Sequence, residues 1–224
     1  MMHSGHTPLL NYWAATRPIA GEKESGDQYV VAAFDGGVLV AVIDGLGHGA
    51  EASQAATLAA EVLAAHAQDP VVILMKRCHE ALRKTRGAVM SIASFNAAAA
   101  TMTWLGIGNV EGMLLGTTSP ESVRRASLVP RGGIVGDRLP PLVAATVPVA
   151  AGDLLIFATD GIGSMFVRDI RKMEHPRQLI HHIFQRHAKT TDDALILGAQ
   201  WINREGALAS ADSSVRQPVS PINP

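Results

Sequence analysis

The sequence predicts an α+β fold in which antiparallel strands come in runs and helices come in groups. Three observations predict it. Two strand-like runs, Tyr29–Phe34 and Val38–Ile43, flank Asp35-Gly36-Gly37, a tight-turn signal because Asp-Gly accepts positive φ angles. Two helical stretches follow within residues 50–86, and from Val89 onward the pattern returns to short β-rich runs. With 224 residues and 47% apolar content, the chain is long enough for one domain with a substantial core.

Charge and cysteine content narrow the function classes. Nineteen basic residues against 20 acidic ones leave a formal charge of −1, so no broad field favours nucleic acid or an anionic membrane. Aromatic content of 4% offers no stacking platform for single strands. Cys78 is the single cysteine, and no signal peptide opens the sequence, which together predict a cytoplasmic protein in a reducing compartment. No apolar run approaches the roughly 20 residues that span a bilayer.

Taken in order, residues 1–11 are polar and are expected to form a flexible N-terminus, with His3 and His6 as terminal residues rather than ligands. A strand is expected near Ala14, then a loop to Gly26. The hairpin follows, and pairing Tyr29–Phe34 with Val38–Ile43 around the turn brings Asp27 and Asp44 to the same open end. Asp44 closes a continuous apolar run and precedes Gly45-Leu46-Gly47-His48-Gly49, three glycines in five residues. This is a strand, a tight loop and a helix start.

The first helix is expected to reach about Gln68, burying Leu58, Val62 and Leu63. Asp69-Pro70 ends it and opens a second, amphipathic helix from Val71 to Arg86, with Val72, Leu74, Met75, Cys78 and Leu82 inward. Ala97–Leu105 lacks bulky residues and reads as a central strand. Gly106-Ile107-Gly108-Asn109 reads as a structural turn, and Thr117–Glu121 as a loop. Short strands are expected at Val123–Pro130, Gly133–Val135 and Ala144–Val149. Gly152-Asp153 is a turn into the strand Leu154–Ala158, which repeats the first motif by delivering Asp160 to Gly161. Helical sequence covers Ser164–Ile170 and Pro176–Ala188. Asp192-Asp193 then introduces a last strand, Ala194–Ile202, and residues 206–224 read as a disordered tail after a single domain over 12–205.

Asp27, Asp44, Asp160 and the Asp192-Asp193 pair each flank a predicted strand. Gathered carboxylates raise one another's pKa and need a cation, and hard ions such as Mg²⁺ and Mn²⁺ prefer oxygen ligands and retain waters. Two such ions can orient a water and neutralise a phosphoryl oxygen. Asp beside Gly is also ordinary turn vocabulary, and spacing alone leaves both readings open.

The strings VIDGLGHG, ATDGIG and DDALIL, in this order and with SGD upstream, resemble the signature of the metal-dependent serine/threonine protein phosphatases of the PPM superfamily. The nearer likeness is to the sporulation stage II E branch and its small stand-alone members of the stressosome feedback type. The resemblance spans residues 12–203. It implies a four-layer αββα sandwich of two antiparallel sheets flanked by helices, with two Mn²⁺ or Mg²⁺ ions at one edge between the sheets.

By the same resemblance Asp44 bridges both ions, the Gly45 carbonyl completes one coordination sphere, and Asp160 holds the second ion together with Asp192 or, as the lesser choice, Asp193. Asp27 matches an acid on or beside the metal waters. Asp44, Asp160 and His48 are the catalytic candidates; His48 serves either as proton donor to the leaving oxygen or as a loop-organising hydrogen bonder. The sequence departs from the pattern at Leu195, where many relatives carry Thr. Arg17 is the nearby cation that could meet substrate phosphate.

The activity so implied is hydrolysis of phosphoserine or phosphothreonine in a protein. The expected partner is a phosphorylated regulatory protein, a STAS-domain scaffold or an anti-sigma-factor antagonist, without nucleic acid or membrane. The alternative is a catalytically silent module of the same fold that binds a phosphoprotein. A histidine-kinase-like ATPase is disfavoured, because its loop wants glycine where Leu46 stands.

Overall fold

The computed structural model describes residues 1–119, 122–170 and 175–202. Two antiparallel sheets pack face to face. One runs, from edge to edge, β1 (Met2–His6), β2 (Leu10–Arg17), β11 (Ala194–Trp201), β10 (Leu154–Ala158), β7 (Glu111–Ser119) and β8 (Ser122–Ser127). The other runs β3 (Asp27–Phe34), β4 (Gly37–Gly45), β5 (Ala88–Asn96), β6 (Thr101–Ile107) and β9 (Ala145–Pro148). Helices α1 (Ala50–Ala65) and α2 (Val71–Leu82) cover the second sheet, and α3 (Pro176–His187) covers the first. The four expected layers are present.

The pleat explains why β4 and β10 read as continuous apolar runs. Val38, Val40 and Val42 enter the core between the sheets, while Leu39, Ala41 and Ile43 face the core under α1 and α2. In β10, Leu155 and Phe157 point between the sheets and Leu154, Ile156 and Ala158 point to α3. A strand covered on both faces has no polar side to show. Three apolar layers therefore lie between four layers of secondary structure, and the central one includes Phe95 stacked on Trp201 at 5.3 Å. Alanines at 52, 55, 56 and 59 let α1 lie close to its sheet.

Several boundaries differ from expectation. Residues 1–11 are not a loose terminus: β1 pairs with β2 from Met2↔Ala15 to His6↔Asn11, and the N-terminal ammonium donates to the Thr16 carbonyl. A polar edge strand gains its order from ladder hydrogen bonds, which leave no apolar periodicity to read. Ala97–Ala100 form a turn rather than strand, because Asn96 Oδ1 accepts the Ala99 N–H at 2.9 Å and Ala100 takes a φ of 47°. The strand begins at Thr101.

Both helices after the first motif stop early. The second ends at Leu82, whose carbonyl accepts the Thr85 hydroxyl at 2.8 Å, while Thr85 Oγ1 accepts the Gly87 N–H at 3.0 Å. Strand β7 extends through Ser119, into the stretch expected as loop. In place of the strand expected over Gly133–Val135, Ile134 and Val135 form isolated bridges only. The expected tail over 206–224 lies outside the described residues. Among the described residues, no helix is long and apolar enough to cross a membrane.

Candidate metal centre

Strand register builds the site. Asp27 and Asp44 lie at the same open end of the hairpin, as expected, and are direct partners in the β3–β4 ladder. Asp160 follows β10 and Asp192 precedes β11, and those two strands are neighbours in the other sheet. The ends of both sheets meet over a cleft of about 520 Å³, whose lining includes Asp44, Asp160 and Asp192 along with Leu46, Gly47, His48, Asn109 and Thr191.

Two glycines allow the close approach. A Cβ on Gly45 would lie 2.2 Å from the Ala52 carbonyl oxygen, so the start of α1 rests directly on the backbone after Asp44. A Cβ on Gly161 would lie 1.8 Å from the Asp193 carbonyl oxygen. No side chain fits at either place. Gly45 also donates its N–H to the Gly26 carbonyl at 3.0 Å, which ties the segment before Asp27 to the end of β4.

The acids affect one another. Burial, followed by the charges of Asp160, Asp192 and Asp193, pushes the Asp44 carboxyl up to about 7. Burial and then Asp160 raise Asp192. Burial and Asp44 hold Asp27 well above the usual carboxylate range, against the hydroxyl of Thr159, which donates to Asp27 Oδ2 at 2.8 Å. An oxygen-only donor set of this kind fits a hard divalent cation, which would favour the ionised forms. Among the described residues no three His, Cys, Asp or Glu side chains enclose a single point. Carboxylates spread along a cleft wall suit ions that keep waters in their coordination sphere.

The expected site residues divide into three groups. Asp44, Asp160 and Asp192 share the cleft. Asp27 lies behind Asp44, 4% exposed and held by Thr159. Asp193 turns away from the cleft: its Oδ1 accepts the Ile19 N–H and its Oδ2 the Gly26 N–H, both at 2.8 Å. That carboxylate pins the 19–26 loop, while Asp192 lines the cleft. His48 lines the cleft and donates from Nδ1 to Glu22 Oε1 at 3.1 Å, since the carboxylate accepts only.

Arg17 does not face the cleft. Its guanidinium donates to the carbonyls of Ala188 at 3.2 Å and Lys189 at 2.6 Å, and stands 5.8 Å over the Phe184 ring. Two residues that sequence reasoning passed over touch Asp160 instead. Asn109 Nδ2 donates to Asp160 Oδ2 at 2.8 Å, and Lys189 Nζ donates to the Asp160 carbonyl at 2.6 Å. The Gly106–Asn109 turn thus contributes to the site as well as to the fold. Its Gly-x-Gly-Asn spacing was the available signal for Asn109, whereas Lys189 had none.

The phosphoserine phosphatase RsbX of Bacillus subtilis (strain 168) is 28% identical over 163 residues, covering 73% of this chain and 78% of that protein. A crystal structure of RsbX in complex with magnesium superimposes with a TM-score of 0.80 at 22% identity, over 90% of this chain and 100% of that one. The catalytic domain of the serine/threonine phosphatase PstP, in complex with two manganese ions, gives 0.67 at 14% identity, over 87% and 99%. At these identities the two structures establish the shared fold. The family model for stage II sporulation protein E (SpoIIE) matches residues 35–202, more than half of the sequence and inclusive of Asp44, Asp160 and Asp192. The chain belongs to the SpoIIE family.

Proposed function

We propose that this chain is a metal-dependent protein serine/threonine phosphatase. The observation that carries the reading is the convergence of Asp44, Asp160 and Asp192, from strand ends in two different sheets, on one cleft wall. Asp44 stands at the junction between the sheets and would serve both ions. Asp160 and Asp192 would hold the second, with Gly45 offering its carbonyl to the first. Bound there, Mg²⁺ or Mn²⁺ supplies a water of lowered pKa and neutralises charge on the phosphoryl group.

The chain's own residues hold this arrangement in place. Asn109 fixes one oxygen of Asp160 and leaves the other free to ligate. Thr159 and burial keep Asp27 against Asp44, where its carboxylate can take a proton from a water near the ions. His48, anchored through Nδ1 by Glu22, presents its other ring nitrogen as the group that protonates the departing serine or threonine oxygen. No side chain in this scheme forms a covalent intermediate.

The substrate is a phosphorylated regulatory protein. The likeness to phosphatases of the stressosome feedback type favours a STAS-domain scaffold or an anti-sigma-factor antagonist. The test is release of phosphate from p-nitrophenyl phosphate and from a phosphoserine protein, with Mn²⁺, Mg²⁺ or chelator. Wild type releases phosphate only with metal, and Asp44→Ala and Asp160→Ala, still folded, release at least about a thousandfold less. Metal-loaded wild type that releases none while still capturing the phosphoprotein would leave a silent docking module in place of an enzyme.

A further inference from the structure

A phosphate ester held at metal ions gains further from a charge-assisted hydrogen bond, and the cations near this cleft are differently committed. Arg17 directs its guanidinium to two backbone carbonyls. Arg86 pairs with Glu51 and lies against Gly47. Lys189 is placed otherwise. Its backbone N–H donates to the Gly161 carbonyl at 2.8 Å and its ammonium to the Asp160 carbonyl at 2.6 Å, so both ends of the residue are seated on the loop that carries Asp160.

An ammonium has three N–H bonds, and the Asp160 carbonyl takes one of them. Lys189 is exposed, and its ammonium is held on the backbone of Asp160, which lines the cleft together with Thr191, two residues beyond Lys189. Arg17 completes the device. By gripping the carbonyls of Ala188 and Lys189 it fixes the backbone from which the ammonium projects, beside Ile162, which bridges to Ala188.

We propose that Lys189 binds the phosphoryl group of the substrate at the edge of the cleft, with Arg17 as the residue that positions it. The inference rests on the phosphatase reading and names the cation that reading lacks. A lysine here acts as a point charge with rotatable donors, suited to a phosphate that changes shape during transfer. Arg131, whose neighbour Gly132 lines the cleft, is the rival cation.

The test compares metal-loaded wild type with Lys189→Gln, Lys189→Arg, Arg17→Gln and Arg131→Gln. Turnover of p-nitrophenyl phosphate gives kcat and KM, titration calorimetry gives the Kd of inorganic phosphate, and a Mn²⁺ titration gives the metal midpoint. Lys189→Gln should raise KM and the phosphate Kd about tenfold or more, the loss of one charge-assisted hydrogen bond. Its metal midpoint should stay or fall, because a positive charge beside the acids is gone. Lys189→Arg should restore most of the phosphate affinity, and Arg17→Gln should give a smaller rise than Lys189→Gln.

Active wild type with unchanged KM and phosphate Kd in Lys189→Gln would overturn the inference and leave the phosphatase reading standing. A raised metal midpoint with intact phosphate binding would overturn it too, since Lys189 would then serve the metal centre alone. Loss of phosphate affinity in Arg131→Gln instead of Lys189→Gln would equally overturn it. Wild type that hydrolyses nothing would overturn the phosphatase reading, and this inference with it.

Discussion

Asp44 sets the fold against the function proposed for this molecule. Its carboxyl, pushed from an ordinary 3.8 to about 7, is held where burial and three neighbouring acids resist ionisation. A group whose folded pKa is raised contributes stability that is present below its unfolded pKa and lost as pH rises through the folded value. Metal-free protein should therefore lose stability between pH 3.8 and about 7, and Asp27 and Asp192 act with the same sign. Asp44→Asn removes this loss: metal-free at pH 8, the variant should melt above wild type, by several degrees, while metal-dependent turnover disappears. Equal melting temperatures at pH 8 would contradict the account. Most of these residues were legible in the sequence, because an apolar strand ending on Asp-Gly is a pattern in one dimension. The roles of Asp193 and Lys189 were not separable there. What each does depends on where a side chain points after two sheets have met, and neither periodicity nor spacing encodes that.

At the scale of elements, the site is the product of close approaches between backbones. Strand β10 must deliver Asp160 while the next residue slides under the carbonyl of Asp193, and β4 must deliver Asp44 while α1 begins on top of Gly45. Gly161→Ala should accordingly be far more damaging than its size suggests. With the nearest backbone oxygen 1.8 Å from the new Cβ, the β10 and β11 ends must part, at a cost of roughly 2–4 kcal/mol. Thermal melts of Gly161→Ala should show that loss together with weakened metal binding; a melt like that of wild type would show that the two ends are not held as described. The hairpin was readable from its Asp-Gly turn, which sets Asp27 and Asp44 at one end; the exact register was not, because Gly37, expected in the turn, pairs with Phe34 as the first residue of β4. Strand β1 was unreadable, as its residues alternate in no hydrophobic sense and its order comes from pairing with β2.

Across the whole molecule, the two sheets share one apolar core, and the acids stand at its rim where that core ends. Helices α1 and α2 close one outer face and α3 the other, so the acid-lined edge is the place where strand ends from both sheets remain open to solvent. The layered architecture was anticipated from the family resemblance of the Asp-Gly strings, with which the runs of strands and grouped helices agree. The pairing of β2 with β11, across most of the chain, was not, because nothing local records a contact of that range. Such a frame predicts that the metal centre and the fold are coupled, with ions relieving the repulsion the fold imposes. The most direct test is calorimetric titration of metal-free protein with Mn²⁺, run beside phosphate release from a phosphoserine protein at each point. The account predicts binding of two ions per chain, hydrolysis that appears as the sites fill, and loss of at least one ion together with hydrolysis in Asp160→Asn. Undiminished binding in Asp44→Asn and Asp160→Asn, or hydrolysis that persists with chelator, would contradict it.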